Sequence, residues 1–306
     1  MGAKRDSWWF VVALALQVSC GGSANDGPDA SRPDAVPADA SQPDAHLVTF
    51  PGEAPDAFLR AYGLEAGIGA WSGYDPYFYI AVAAITAAED RYQVLAIHNA
   101  DDYAIQEAND RLAELPDFSG YPYGFIDGAG DHAAYLGTEL SSRLGQASAS
   151  CGLAIDAEDI AGVTVYARCS TGQAPPPLTL SVWLVESGLS GDQVNYFSDA
   201  VYGGSGPDTN VVTPYDYDAE TSPIVGHTFD NVVRDFVTAG IWGEDIDLSS
   251  GAAERTFALD MAACSVAANC KVVAFLSEKV NDKAVDRVNL RSVKVGEQAG
   301  WLAPPQ

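Results

Sequence analysis

The spacing of apolar and polar residues changes character near residue 146. Before that point, short apolar runs alternate with segments of helical spacing. "YQVLAIHN" is a short apolar run with polar flanks, which predicts a buried strand, whereas "AIQEANDRLAEL" places apolar residues three and four positions apart. "PYFYIAVAAITAAEDR" is rich in alanine and begins with proline, as helices often do. This alternation predicts a small α/β domain over residues 47–146.

The same segment contains three weaker patterns. "AYGLEAGIGA" and "YGFID" predict short strands, and "YLGTELSSRLG" predicts a helix that ends at Gly145. After residue 146 the chain is dominated by β-branched runs with period-two stretches and turn signals between them, in "ASCGLAIDAED", "GVTVYARCS", "LTLSVWLVES", "RTFALDM", "CKVVAFLSE" and "VDRVNLRSVKV". We therefore expect an antiparallel, immunoglobulin-like β-sandwich over residues 147–306.

The first 46 residues differ from both regions. Residues 1–19 are predicted to be a signal peptide, because Lys4 and Arg5 precede an apolar core that is too short to span a bilayer. Cys20 follows a small residue, which indicates lipidation at that cysteine, although an ordinary cleaved signal is the alternative. Gly21, rather than aspartate, follows the cysteine and favours the outer membrane. Residues 20–46 repeat proline, aspartate and alanine, and we expect a disordered tether.

The charge of the chain excludes several classes of partner. The formal net charge is −26, with 42 acidic and 16 basic residues. Such a chain has no basic stripe for nucleic acid and no electrostatic affinity for an anionic membrane surface. We expect no cofactor and no metal, since the Walker, HExxH and GxSxG motifs are absent from the sequence. The acidic loop that carries Asp208, Asp216, Asp218 and Glu220 lacks EF-hand spacing, so a solvated loop is favoured over a calcium site.

Four cysteines remain in the predicted exported chain. An even number in such a chain indicates disulfides, and four cysteines allow three connectivities. We favour Cys151–Cys169, which would centre a hairpin turn near Ile160, and Cys264–Cys270, which would close a short loop before a strand.

One stretch, "GIGAWSGYDPYF", has the frame of a redox loop. A W-C-x-x-C-P motif places its first cysteine at a helix N-terminus, where the thiolate is stabilised. Here Trp71 and Pro76 keep the frame, and Ser72 and Asp75 occupy the cysteine positions. Pro122, after Gly120 and Tyr121, is in register for the cis-proline that faces such a motif. The segment 47–146 therefore resembles a thioredoxin-like domain whose redox pair is absent.

The resemblance extends over roughly residues 60–295. "LEAGIGAWSGYDPYF", "LAIHNADD", "SGYPYGFID", "VWLVESGLSGDQVNY" and "NVVRDFVTAGIWGED" are similar to the outer-membrane-protein-twenty-eight family. That resemblance implies a lipoprotein with a thioredoxin-like region and a C-terminal β-sandwich. Many members keep both cysteines, so the departure at Ser72 and Asp75 implies that no catalytic residue remains here.

Two non-redox roles are open for the substituted positions. Ser72 and Asp75 fit a capping box, or Asp75 is the N-cap with Pro76 at the first helical position. A hydrolytic pair of Ser72 and His98 is the less favoured reading, because a serine needs a base to become a nucleophile. Asp101 and Asp102 are expected to cap the next helix.

Aromatic residues concentrate around the two loops. A candidate binding groove is formed by Tyr74, Tyr77, Tyr121, Tyr123 and His98, if the two loops meet. The alternative, which the sequence favours, is that the tyrosines pack in the local core. The sequence thus predicts an outer-membrane lipoprotein with a membrane lipid anchor and a redox-inactive domain that binds a protein or peptide. The alternative is a thiol-disulfide oxidoreductase that uses the remaining cysteines.

Overall fold

The computed structural model describes residues 49–88, 91–115, 118–132, 148–170, 175–198 and 216–304. The predicted signal peptide, the tether and Cys20 lie outside these ranges, as do the predicted helix in "YLGTELSSRLG" and Asp208. Within them, none of the helices has both the length and the apolar character needed to cross a membrane.

The first half alternates strands and helices as the apolar pattern predicts. Its elements are β1 (Phe58–Leu59), β2 (Tyr62–Ile68), α1 (Asp75–Ala88), β3 (Tyr92–His98), α2 (Gln106–Glu114), β4 (Tyr123–Ile126) and β5 (Ala129–His132). The helix α1 connects β2 to β3, and these two strands are parallel, as a helical crossover requires. The later strands are antiparallel: β4 pairs with β2, and β5 pairs with β4.

In the residues that the structure describes, the second half consists of strands and two short 3₁₀ turns. The strands are β6 (Ser148–Ala149), β7 (Cys151–Asp156), β8 (Gly162–Cys169), β9 (Leu178–Glu186), β10 (Leu189–Gln193), β11 (Ile224–Phe229), β12 (Val232–Phe236), β13 (Glu244–Ile246), β14 (Ala252–Ala258), β15 (Cys270–Val280), β16 (Lys283–Lys294) and β17 (Gln298–Ala299). Every strand-like run named above corresponds to one of these strands.

The two halves share one sheet, which corrects the predicted boundary at residue 146. Strand β12 pairs antiparallel with β9 and parallel with β3, where Val232 lies opposite Ala96. The resulting nine-stranded sheet has the order β16-β15-β9-β12-β3-β2-β4-β5, with β13 beside β9. Unpaired strand edges expose backbone donors and acceptors, and pairing β3 with β12 satisfies them. Accordingly, Leu47–Gln306 is one compact unit.

A second layer covers part of this sheet. The four-stranded sheet β14-β8-β7-β17 packs on one face of β9 and β15. In β9, Leu180, Val182 and Leu184 face this layer, whereas Trp183 and Val185 point to the opposite core, which contains α2. Successive side chains of a strand alternate between faces, so both faces of β9 are buried.

Both favoured disulfides are confirmed. Cys151 and Cys169 lie directly opposite each other on β7 and β8, and Cys264–Cys270 closes the loop that leads into β15. The turn between β7 and β8 contains Ile160, which is 61% exposed. The cysteine spacing therefore indicated both the pairing and the hairpin.

A buried ion cluster joins the first half to the second. The Glu65 carboxylate accepts hydrogen bonds from Arg111 on α2, at 2.5 and 2.8 Å, and from Arg287 on β16, at 2.6 Å. Burial alone would raise the pKa of Glu65, but the two guanidinium groups outweigh it and lower that pKa. The cluster fixes α2 and β16 against the centre of the sheet.

Candidate functional site

The candidate site is the loop between β2 and α1. Its backbone folds back on itself: the Ser72 N–H donates to the Gly69 carbonyl at 2.8 Å, and the Gly69 N–H donates to Oδ2 of Asp75 at 2.7 Å. Asp75 is the first residue of α1, and Pro76 is the second. The Asp75 carboxyl therefore ties the loop together instead of capping the helix, so neither of the two predicted capping arrangements is formed.

Ser72 and Asp75 are buried beneath the loop surface. Burial is the main cause that raises the pKa of Asp75 to about 8, and the nearby Asp101 charge adds to it. The Ser72 hydroxyl and the Gly69 N–H act in the opposite direction, but do not offset burial. Within the described part of the chain, Oδ1 of Asp75 has no hydrogen-bond partner. At neutral pH this carboxyl is therefore mostly protonated.

The side chain of Gln193, from the end of β10, closes the loop from the second half. Its amide Nε2 donates to the Ser72 carbonyl at 2.9 Å, and its Oε1 accepts from the Tyr79 hydroxyl at 3.1 Å. Gln193 is buried. Because both ends of this amide are hydrogen-bonded, the contact is specific and holds β10 on the loop.

Tyr196 continues this closure. Its N–H donates to the Gly73 carbonyl at 2.9 Å. A Cβ atom at Gly73 would lie 2.3 Å from the Tyr196 ring, so glycine is what allows the ring to reach the loop. The space beside Ser72 and Asp75 is therefore occupied, and these two residues do not line an open groove.

His98 belongs to the support of the loop and does not line its surface, which corrects its predicted place in the groove. The ring is buried, with Nδ1 at 2.7 Å from Oδ2 of Asp101. Since a carboxylate can only accept, Nδ1 carries the proton. Among the described residues, Nε2 has no hydrogen-bond partner, and no contact joins His98 to Ser72. The arrangement lacks the serine–base contact that a hydrolytic pair needs.

Asp101 links His98 to the loop rather than capping α2. Its carboxylate accepts from the Ala70 N–H at 2.8 Å and from the Tyr103 N–H at 3.0 Å. Burial would raise the pKa of Asp101, but the hydrogen bond and charge of His98, together with these two N–H groups, lower it. The N-cap of α2 is Ile105, without a side-chain hydrogen bond.

Three aromatic side chains project from the outside of the closed loop. Trp71, Tyr74 and Tyr196 are 45%, 59% and 40% exposed; we call them the aromatic surface. The Trp71 indole N–H donates to the Asn99 carbonyl at 2.6 Å, which fixes the ring. Tyr74 meets Tyr196 edge to face, with ring centroids 5.2 Å apart. The exposed rings are therefore held in place by the loop and by the second half.

The remaining predicted groove residues divide into supporting and buried positions. Tyr121 is half-buried and packs edge-on against Trp71 at 5.4 Å, and Tyr77 is half-buried beside Phe197 at 6.2 Å. The Tyr121–Pro122 peptide bond is cis, as the resemblance implies. Tyr123 is buried in the core beside Phe125, because β4 turns that face toward α2. Tyr123 therefore does not line a surface groove, which corrects its predicted place there.

The residues missed by sequence reasoning come from the second half. Gln193, Tyr196 and Phe197 meet the loop although they lie more than 115 positions from it in the chain. No local signal in "SGDQVNYF" points to this contact. In the ranges that the structure describes, no group of three or more His, Cys, Asp or Glu side chains is placed to hold a metal ion, and this includes Asp216, Asp218 and Glu220.

Comparison with known proteins identifies the class of this chain. The family model "Outer membrane protein Omp28" matches residues 109–299, more than half of the chain. The chain therefore belongs to the Omp28 family, and its location is the outer membrane, as its sequence predicts. No curated protein matches it significantly.

The solved structures that match the chain include two proteins of one bacterium. HBP35 of Porphyromonas gingivalis matches with a TM-score of 0.58 and 14% identity over 83% of this chain and 80% of that one, which supports a shared mixed fold. A domain of the outer membrane lipoprotein Omp28 from Porphyromonas gingivalis matches with a TM-score of 0.27 and 18% identity over 48% of this chain and 88% of that one.

Proposed function

We propose that this outer-membrane protein is a non-catalytic lipoprotein, anchored through Cys20, which binds an extended segment of a protein partner on the aromatic surface. The observation that carries the proposal is the combination at one loop: Ser72 and Asp75 fill the former cysteine positions and are closed off, while Trp71, Tyr74 and Tyr196 stay exposed. The loop therefore has no thiols for a redox reaction, and its exposed part is the aromatic surface, which is proposed to bind the partner.

A thioredoxin-like origin of the first half is supported by topology. The strand order β3-β2-β4-β5, a parallel pair joined by α1 and an antiparallel return, is the arrangement expected for that fold. The loop before α1 and Pro122 before β4 stand at the two places that the resemblance implies. For the second half, the packing of β14-β8-β7-β17 on β9 and β15 supports an immunoglobulin-like sandwich.

Absence of catalysis is proposed from the state of the candidate nucleophiles. The Ser72 hydroxyl lies beside a mostly protonated carboxyl and has no contact with His98 among the described residues. Cys151 and Cys169 are buried in a disulfide, whereas thiol exchange needs an accessible thiolate. Cys264, in the other disulfide, is only half-buried. The features above therefore favour binding over the hydrolytic pair and over exchange at Cys151–Cys169, and insulin reduction tests Cys264–Cys270 separately.

The aromatic surface has the properties of an interface anchor. Exposed aromatic rings with polar tips contribute most of the binding free energy at many interfaces, and rings that are already fixed lose little entropy on binding. Trp71 is held by its hydrogen bond to Asn99, and Tyr74 by its contact with Tyr196. With a net charge of −26, the chain favours a neutral or basic partner segment.

The test uses a display library of random 12-residue peptides selected on the intact chain. We expect enriched peptides to bind and the variants Trp71→Ala and Tyr74→Ala each to weaken that binding at least tenfold, the loss typical of an aromatic anchor. Ile160→Ala and Val225→Ala remove exposed apolar side chains elsewhere, 61% and 79% exposed, and serve as matched controls. Equal losses in all four variants, or none in the first two, would refute the proposed surface.

The oxidoreductase alternative predicts a different result. An insulin-reduction assay on the intact chain should show no turnover above background, and changing Cys264 and Cys270 to serine should change nothing. Turnover that disappears in that double variant would instead establish the enzyme. A Cys20→Ser variant should lose its membrane attachment, as judged by fractionation of the cell envelope, if the proposed lipid anchor is correct.

A further inference from the structure

Strand β14 forms one edge of the four-stranded sheet β14-β8-β7-β17. It pairs with β8 along all seven of its residues, Ala252–Ala258, without a register shift. Among the described strands, none pairs with its other side. Proteins often protect such an edge with proline, lysine, a bulge or a very short strand, and β14 has none of these. The edge is therefore suited to pairing with a further strand.

The hydrogen bonds to β8 determine which residues of β14 face outward. The Cys169 N–H donates to the Gly251 carbonyl, and the Leu259 N–H donates to the Ala161 carbonyl, each at 3.0 Å. In an antiparallel pair, hydrogen-bonded residues alternate with residues whose N–H and C=O point away from the partner strand. The residues at even positions therefore present their backbone groups to the outer side of the edge. These residues are Ala252, Glu254, Thr256 and Ala258.

The side chains of β14 divide between two faces. Ala253 and Phe257 pack against the core between the two sheets, and alternation along the strand places Arg255 on the same face. On the opposite face, the Thr256 hydroxyl lies 3.1 Å from the Thr164 hydroxyl of β8. A strand added to this edge would therefore meet a cation on the inner face and a row of threonines on the outer face.

We propose that the added strand is β14 of a second copy of this chain, antiparallel to the first, with Thr256 on the twofold axis. A twofold dimer uses the same surface on both subunits, so the strand must be complementary to itself. The threonine row supports this occupant, because the twofold axis would continue the row through both copies. The contact is separate from the aromatic surface, and either can fail without the other.

The charges on β14 select this register. Outward residues must face outward residues, and an axis at one of the three central positions, 254, 255 or 256, pairs most of the strand. An axis at Glu254 sets two carboxylates opposite each other, and an axis at Arg255 does the same for two guanidinium groups. Like charges directly opposite destabilise a sheet, whereas opposed threonines stabilise it. The axis at Thr256 avoids both like-charge pairs.

The other opposed residues in this register are also compatible. Glu254 lies opposite Ala258, and Arg255 lies opposite Phe257, where a guanidinium group can rest against an aromatic ring. The Glu254 carbonyl accepts from Arg255 Nη1 at 3.0 Å, and its second lone pair can accept from the partner strand. The register gives about six interchain backbone hydrogen bonds. Since the contact is small, we expect a dissociation constant on the order of 100 μM.

Sedimentation equilibrium of the full chain, from about 10 μM to about 1 mM, tests the association. We expect a monomer–dimer equilibrium that Thr256→Lys weakens at least tenfold, because an edge lysine opposes strand pairing. Thr228→Lys adds the same charge at an exposed position on β11 and should leave the equilibrium unchanged. Circular dichroism establishes that both variants fold. A chain that is monomeric over this range, or equal weakening in both variants, would overturn the proposal.

The salt dependence of the equilibrium separates strand pairing from ion pairing. Two copies that each carry a net charge of −26 repel each other, and salt screens that repulsion. The dimer should therefore become more stable as the salt concentration rises from about 0.05 M to about 0.5 M. An interface that depends on ion pairs would weaken instead, and that result would overturn the backbone contact.

Cysteine substitution locates the twofold axis. Opposed Cα atoms of a hydrogen-bonded antiparallel pair lie about 5.5 Å apart, a separation that a disulfide spans. Under mild oxidation, Thr256→Cys should therefore give a disulfide-linked dimer on a non-reducing gel. Glu254→Cys places its thiols away from the axis, and Thr228→Cys lies outside β14, so both should stay largely monomeric. Linkage through Glu254→Cys but not Thr256→Cys would overturn the register, and equal linkage through Thr228→Cys would overturn a specific contact.

Discussion

Replacing Asp75 with asparagine should change how the stability of this protein depends on pH. The carboxyl is fully buried, and its pKa is raised from 3.8 in a solvated chain to about 8 in the fold. The folded state therefore binds a proton that the unfolded state has released between these two values. Stability is lost as the pH rises from about 4 to about 8, and the loss is complete above 8.

The expected loss in the free energy of unfolding follows from the size of the Asp75 pKa shift. Each unit of pKa difference corresponds to about 1.4 kcal/mol, so the cost reaches about 4 kcal/mol at pH 7 and about 6 kcal/mol above pH 8. Asparagine is neutral at every pH, so the variant does not lose stability by ionisation at this position. Its buried amide hydrogens bring a separate penalty of about 1–3 kcal/mol, but that penalty does not vary with pH. The stability of Asp75→Asn relative to the parent should therefore increase by about 4 kcal/mol between pH 5 and pH 8.

Urea unfolding followed by tryptophan fluorescence, with disulfides intact, measures this difference at pH 5, 6, 7 and 8. Asp102→Asn is the matched control, because it removes the same charge from an exposed neighbouring position. We expect the control to differ from the parent by less than about 0.5 kcal/mol at each pH. A difference between Asp75→Asn and the parent that stays constant from pH 5 to pH 8 would refute the burial argument for Asp75.

Two further changes test other buried groups. Burial, assisted by the charge of His98, lowers the pKa of His227 from 6.5 to about 4, so the parent should lose about 3 kcal/mol of stability as the pH falls from 6.5 to 4. His227→Gln should abolish that loss in urea titrations at pH 4.5 and 7, and an unchanged acid profile would contradict the assignment. Glu65→Gln leaves the Arg111 and Arg287 guanidinium groups without their shared carboxylate, and should cost about 3–5 kcal/mol at pH 7. A loss below about 1 kcal/mol in the same measurement would show that the cluster contributes little.

Much of the secondary structure could be predicted because it depends on short-range periodicity. "LTLSVWLVES" alternates residues that face two different cores, and it forms β9. The missed strands include β10, β11, β12 and β13, which are only three to six residues long and contain polar residues, so their pattern is weak. They form because a neighbouring strand offers unpaired backbone groups.

The candidate site could be located but not described from the sequence. Trp71 and Pro76 marked the loop, and the family resemblance marked Ser72 and Asp75 as positions where many members have cysteines. The burial of His98 and Tyr123 was not foreseen, because the face that a side chain occupies depends on which layer covers the sheet. A tyrosine pattern in sequence cannot distinguish a surface ring from a core ring.

The sequence by itself determined the alternation of elements in the first half and six strands of the second, and it favoured the two disulfides that form. It also places Ser72 and Asp75, not cysteines, between Trp71 and Pro76. These depend on residue type and on spacing over a few positions. Only the tertiary structure decided that β12 joins the two halves in one sheet and that Gln193 and Tyr196 close the loop. Such contacts depend on which unsatisfied edge or surface is nearest in space, and residues far apart in the chain meet there for reasons that no local pattern contains.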